Sequence, residues 1–147
     1  TSGLDNVSSY IQSGNVICET SISAKELARH IHQLILEKIG ANLAIIVKEK
    51  SDLEKAILQN PFPEELDSSR IHLVFTNSHI STERLTEVRE MNFTDEIFAV
   101  GETCLYMYLP RDARIKKLNN NFLEKKLGTV ATTRKLTIIK KLINRMD

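Results

Sequence analysis

Between Ser23 and Gly40, Leu27, Ile31, Leu34, Ile35 and Ile39 recur at the three- and four-residue spacing of one helical face. Ser23 followed three residues later by Glu26 has the form of a capping box, and Gly40 suits a left-handed stop, so a helix is expected over 24–39. Ahead of it, residues 7–11 and 16–19 read as two short strands around Gln12, Ser13, Gly14 and Asn15, a hairpin or a sharply bent strand. Gly14 or Asn15 would take the positive φ of its tight connection. Behind it, the unbroken apolar run 43–47 is too short for a helix and predicts a central strand covered on both faces.

In the second half of the chain Ser51 and Glu54 form another capping box, opening a short helix through Leu53, Ala56 and Ile57 that Asn60, Pro61, Phe62 and Pro63 terminate. A strand is expected at 71–75 and a helix from 81 to about 91. A hairpin at 96–100 and 103–109 would turn on Gly101 and Glu102, glycine first as in a type II′ turn. Past Pro110 the pattern predicts a helix from about 116 to 127, closed by Gly128. A last one from about 134 to 146 aligns Leu136, Ile139, Ile143 and Met146 on one face. Strands and helices interleaved in this order predict an α+β protein of two ferredoxin-like α/β sandwich halves. The first half, 1–50, lacks its initial strand and helix, and the second is 51–147. A sheet without its first strand offers a pairing edge, which a partner would fill if the chain is not a fragment.

The composition, 41% hydrophobic and 27% charged over 147 residues, is that of a folded globular chain. The longest aliphatic run falls far short of the roughly 20 residues that cross a bilayer. The first residues carry no basic-then-apolar signal pattern. A soluble, cytoplasmic protein without a membrane partner is expected. Cys18 and Cys104 sit in separate apolar strands, outside any Cys-x-x-Cys motif, and read as buried thiols. The net charge of +1 conceals a segregation: residues 1–110 hold 9 Lys/Arg against 16 Asp/Glu, and residues 111–147 hold 11 against 3. Such an imbalance attracts an anionic partner to the basic end, or attracts the two parts of one fold to each other.

Several patches together resemble one family. Tyr10 to Val16, Asn60-Pro61-Phe62, Leu105-Tyr106, the stretch from Phe122 to Gly128, and Ala131-Thr132-Thr133-Arg134 are similar in order and spacing to the uncharacterised, mainly bacterial domain-of-unknown-function family numbered 1697. The resemblance runs from Tyr10 to about Leu142 and implies that a further strand precedes the first one seen here. The chain departs from the family pattern at Lys135-Leu136, where an Asn-Trp pair is usual, and near Lys116, where a serine is usual. The resemblance implies a fold and no substrate, cofactor or catalytic residue.

Chemistry therefore has to be read from the residues. Ser13, Gly14 and Asn15 offer backbone N–H groups and short polar side chains to a phosphate or carboxylate, although a turn uses the same residue types. Thr132, Thr133 and Arg134, expected at the start of the last helix, combine hydroxyls, a cation and unpaired N–H groups around an anion; capping and pairing with the acidic part of the chain are the structural alternatives. Lys116, Lys117, Lys125, Lys126, Lys140, Lys141 and Arg145 would form a basic face for nucleic acid, with Tyr106 and Tyr108 stacking bases, or simply a solvated surface. His30, His32, His72 and His79 lack metal-ligand spacing, and no nucleophile elbow or phosphate loop occurs, so neither metal nor cofactor is expected. The leading reading is a binding protein for a small anionic ligand. The alternatives are an enzyme acting on an anionic substrate between the halves, a nucleic-acid-binding module, and a partner-binding or structural domain.

Overall fold

The computed structural model describes residues 5–10, 15–19, 22–40, 45–76 and 79–146. In chain order the elements are β1 (Asp5–Tyr10), β2 (Asn15–Glu19), α1 (Ala24–Ile39), α2 (Lys50–Leu58), β3 (Ile71–Thr76), α3 (Thr82–Arg89), β4 (Ile97–Val100), β5 (Leu105–Tyr108), α4 (Asn120–Leu127), β6 (Ala131–Lys135) and α5 (Leu136–Arg145). β1 and β2 make an antiparallel hairpin in which Tyr10 pairs with Asn15. The other four strands form one antiparallel sheet in the order β4-β5-β3-β6.

Local chemistry accounts for most element ends. Ser23 Oγ accepts from Glu26 N at 3.2 Å and Gly40 closes α1 at φ 80°. Ser81 Oγ accepts from Arg84 N to start α3, and Asn119 Oδ1 accepts from Phe122 N at 2.8 Å to start α4, which Gly128 ends at φ 68°. α4 does not begin near 116. The N–H groups of Lys117 and Leu118 donate to Glu96 Oε1 at 2.7 and 2.8 Å, which holds that segment in a loop and leaves Asn119 as the cap. α2 likewise begins earlier than Ser51, because Glu49 is its N-cap and donates its N–H to Asp52 Oδ2 at 3.0 Å.

Three other expectations are corrected. Of the run 43–47, residues 43 and 44 lie outside the described residues, and 45–49 form no strand; Ile46 packs as a side chain against the core instead. The β4–β5 connection is residues 101–104, with Gly101 N donating to Cys104 O at 2.9 Å, and not a two-residue turn. Glycine is required there for space: a Cβ on Gly101 would lie 2.6 Å from Tyr106 Cε1. Finally, residues 131–135 are strand, and the last helix starts only at Leu136. Their hydrogen-bonding capacity goes to β3, in a register running from His72–Lys135 to Thr76–Ala131.

Two apolar layers sandwich the sheet. Ile71, Leu73, Phe75 and Tyr106 face α2 and α5, while Val74, Leu105 and Met107 face α3 and α4. The segment from β3 to β6 has the connectivity of a βαββαβ unit, with its helices α3 and α4 on one side and α2 and α5 added on the other. The described residues thus hold one four-stranded sheet and a separate two-stranded hairpin. Tyr106 is wholly buried and donates its hydroxyl to Ala56 O at 2.7 Å; Tyr108 is half-buried, with its ring centroid 6.0 Å from that of Phe62. The Tyr106 ring is therefore not open for stacking bases.

Two consequences are measurable. Glu96 is 6% exposed and is the acceptor for two backbone N–H groups, so Glu96→Ala should lower unfolding stability by about 2 kcal/mol in urea denaturation. A loss below about 0.5 kcal/mol would show that the loop does not depend on this carboxylate. Burial holds the Cys104 thiol up at about 11, whereas Cys18 is half-buried, its thiol also raised by burial. At pH 8 a thiol of that pKa is only about one part in a thousand thiolate, so a disulfide reagent should titrate Cys18 in the native protein and Cys104 only in denaturant. Equal native rates would contradict the burial of Cys104.

Candidate functional site

Alternation along β6 sorts the predicted residues. Thr132 pairs with Phe75 and Arg134 with Leu73, which puts both side chains on the α2/α5 side of the sheet. Ala131 and Thr133 point to the other side, where Ala131 joins the α3/α4 core and Thr133 donates its hydroxyl to Asn120 Oδ1 at 2.7 Å. Asn120 returns a bond from Nδ2 to Ala131 O at 2.9 Å, so Thr133 serves to anchor the start of α4 and is not in the site.

Arg134 ties this strand to the amino-terminal hairpin. Its Nε donates to Asn15 Oδ1 at 2.8 Å, and its Nη1 donates to Thr132 Oγ1 at 2.7 Å and to Thr133 O at 2.9 Å. These three acceptors are uncharged and fix the plane of the guanidinium. Burial lowers the pKa of Arg134 from its ordinary value, but a guanidinium remains protonated at neutral pH. Asn15 reaches it because it is the first residue of β2, paired with Tyr10 at the end of the hairpin where the two strands are connected. Ser13 and Gly14 lie outside the described residues.

Asn15, Thr132 and Arg134 line one cleft of about 300 Å³. Its remaining wall is mainly apolar and includes Ile46, Phe75, Ile139, Leu142 and Met146. Lys48 also borders it, with Nζ donating to Thr76 O at 2.8 Å across the end of β3. Lys48 and the apolar wall escaped the sequence reading. The lysine directly follows the aliphatic run, a position that signals a cation at the end of a buried segment, and the α5 face was legible only as core. A second cleft of about 320 Å³ lies beyond Lys48 and contains His79 and Glu102, but none of the predicted site residues.

The helix-start arrangement expected around residue 134 does not form, because strand pairing uses those residues. The lysines do not make one face either. Lys125 and Lys126 are exposed on α4, while Lys140, Lys141 and Arg145 are exposed on α5, across the sheet. Lys117 and Lys126 sit over the Phe122 ring at 5.8 and 6.0 Å from its centroid. Of the histidines, His72 is half-buried in β3, with burial depressing its pKa, and His79 is exposed. Among the described residues no three His, Cys, Asp or Glu side chains gather as a metal site, and no helix is long and apolar enough to cross a membrane.

Comparison with known proteins gives a family and a fold. The structure is similar to that of the conserved bacterial protein SP0830 from Streptococcus pneumoniae, with a TM-score of 0.67 and 18% sequence identity, over 98% of this chain and 82% of that one. At such identity the likeness carries the fold alone. No curated protein matches the chain. A family model described as protein of unknown function, DUF1697, matches residues 1–106, which include Asn15 and Lys48 and stop short of β6. With well over half of its length matched, the chain belongs to the DUF1697 family of proteins of unknown function.

Proposed function

We propose that this protein binds a small anionic ligand in the cleft between the β1–β2 hairpin, β6 and α5. The observation that carries this reading is the guanidinium of Arg134 at the cleft wall, held in one orientation by Asn15 and Thr132. A preoriented cation binds an anion at a smaller entropic cost than a mobile one. The volume, about 300 Å³, is at the small end of the range of ligand pockets. We also read the hairpin and α1 as part of a second ferredoxin-like unit, divided from the first near residue 50. Two cysteines that are both free thiols suit a reducing, cytoplasmic setting.

A thermal-shift series with inorganic phosphate, sugar phosphates, nucleotides and carboxylates tests the site. A ligand at 100 times its dissociation constant adds about 2.7 kcal/mol, a rise of roughly 5–10 °C for a chain of this size. At least one class should produce that rise, Arg134→Gln should remove it, and the exposed pair Lys140→Ala/Lys141→Ala should leave it intact. A rise that survives Arg134→Gln, or disappears with the lysines, would move the anion site away from this cleft.

A further inference from the structure

We infer that the second cleft, formed where β3 and β4 end and β5 begins, binds a free α-amino acid with an aliphatic side chain. It is a different cavity from the anion site proposed above, and the inference does not rest on that reading. Two opposite charges border this cleft of about 320 Å³, the Lys48 ammonium and the Glu102 carboxylate. Neither forms an ion pair with the other or with any other described residue. Lys48 donates one of its three N–H groups to Thr76 O at 2.8 Å, and Glu102 Oε2 accepts from Gln59 Nε2 at 3.2 Å; both partners are neutral. Two ammonium donors and the second carboxylate oxygen, Oε1, are thus without a hydrogen-bond partner among the described residues.

A ligand with a single charge would leave one of these two groups unmatched. The carboxylate of an amino acid can take the Lys48 donors while its ammonium donates to Glu102, so a zwitterion satisfies both. His79, exposed and three residues ahead of α3, borders the same cleft and offers a ring N–H to the carboxylate. The rest of the lining is apolar and only partly covered. Ile80, Leu85 and Val100 are half-buried, packed against the α3/α4 core with some of their surface still accessible. An aliphatic side chain would remove that surface from water, whereas hydroxyls laid against it would go unpaired. The volume is at the small end of the range of ligand pockets and suits a single amino acid rather than a peptide.

Calorimetric titration of the whole chain with leucine tests the inference, against 4-methylpentanoate, which lacks the amino group, isoamylamine, which lacks the carboxylate, and glycine, which lacks the side chain. Because Lys48 borders both clefts, the series is run in the native protein and in Arg134→Gln, which alters only the first cleft. In the Arg134→Gln background leucine should bind at least about tenfold more tightly than each of the other three, and its affinity should match that for the native protein. Glu102→Gln, at an exposed position and with an oxygen still able to accept from Gln59, should weaken leucine at least about tenfold and leave 4-methylpentanoate unchanged or tighter. Lys48→Met should bring leucine down to the affinity of isoamylamine. Leucine affinity that falls with Arg134→Gln and not with Glu102→Gln would put the ligand in the first cleft and overturn this inference alone. Failure of leucine to bind, or equal affinity for leucine and 4-methylpentanoate with Arg134 replaced, would overturn the zwitterion whatever the first cleft binds. Glycine binding as tightly as leucine would overturn the aliphatic side chain.

Discussion

The ladder between β3 and β6 decides where every candidate side chain goes. Five residue pairs, His72–Lys135 to Thr76–Ala131, fix the register. Because successive side chains in a strand point to opposite faces, a slip of one residue would exchange Arg134 and Thr132 for Thr133 and Lys135 in the cleft. The register is held from both sides: Ala131 is buried in the α3/α4 core, and Thr133 is tied to Asn120 at the start of α4. The orientation of Arg134 is thus a by-product of how α4 is anchored on the opposite face of the sheet.

The same sheet explains why charge segregation along the chain does not become a single basic surface. The segment after residue 110 supplies α4, β6 and α5, and these lie on one side of the sheet, within it, and on the other side. Its cations are distributed accordingly. Some meet the acidic part of the chain, as where Arg114 pairs with Asp95, Nε to Oδ2 at 3.3 Å, but this pair is solvent-exposed and contributes little to stability. The buried Glu96 has a larger structural role, because two backbone N–H groups depend on it.

Features encoded within a few residues were legible in the sequence. Ser23, Ser81, Gly40 and Gly128 act as the caps their types suggest, and the face of Leu136 and Ile139 on the last helix is core. What was not legible depends on partners distant along the chain. Residues 131–135 run into α5 without a glycine or proline break, so periodicity joined part of them to the helix; only β3 makes them a strand. Gly101 looked like a turn glycine, yet its constraint is the Tyr106 ring packed over it. For the site, Asn15, Thr132 and Arg134 were recognisable as anion-binding types at element ends. Which of them share a cleft follows from strand alternation, and the apolar wall opposite them from the placement of α5.

The proposed anion site depends on Asn15 acting through Arg134: an amide from the amino-terminal hairpin holds a guanidinium 119 residues later in the chain, the group proposed to meet the anion. A double-mutant cycle on the affinity for whichever phosphate or carboxylate raises the melting temperature most, with Asn15→Ala, Arg134→Gln and the pair, measures this coupling. If the two residues form one recognition point, removing Asn15 should weaken binding in the native background and have almost no effect once Arg134 is gone, a coupling of at least about 1 kcal/mol. Additive losses would mean that the two side chains contribute independently and would contradict the account.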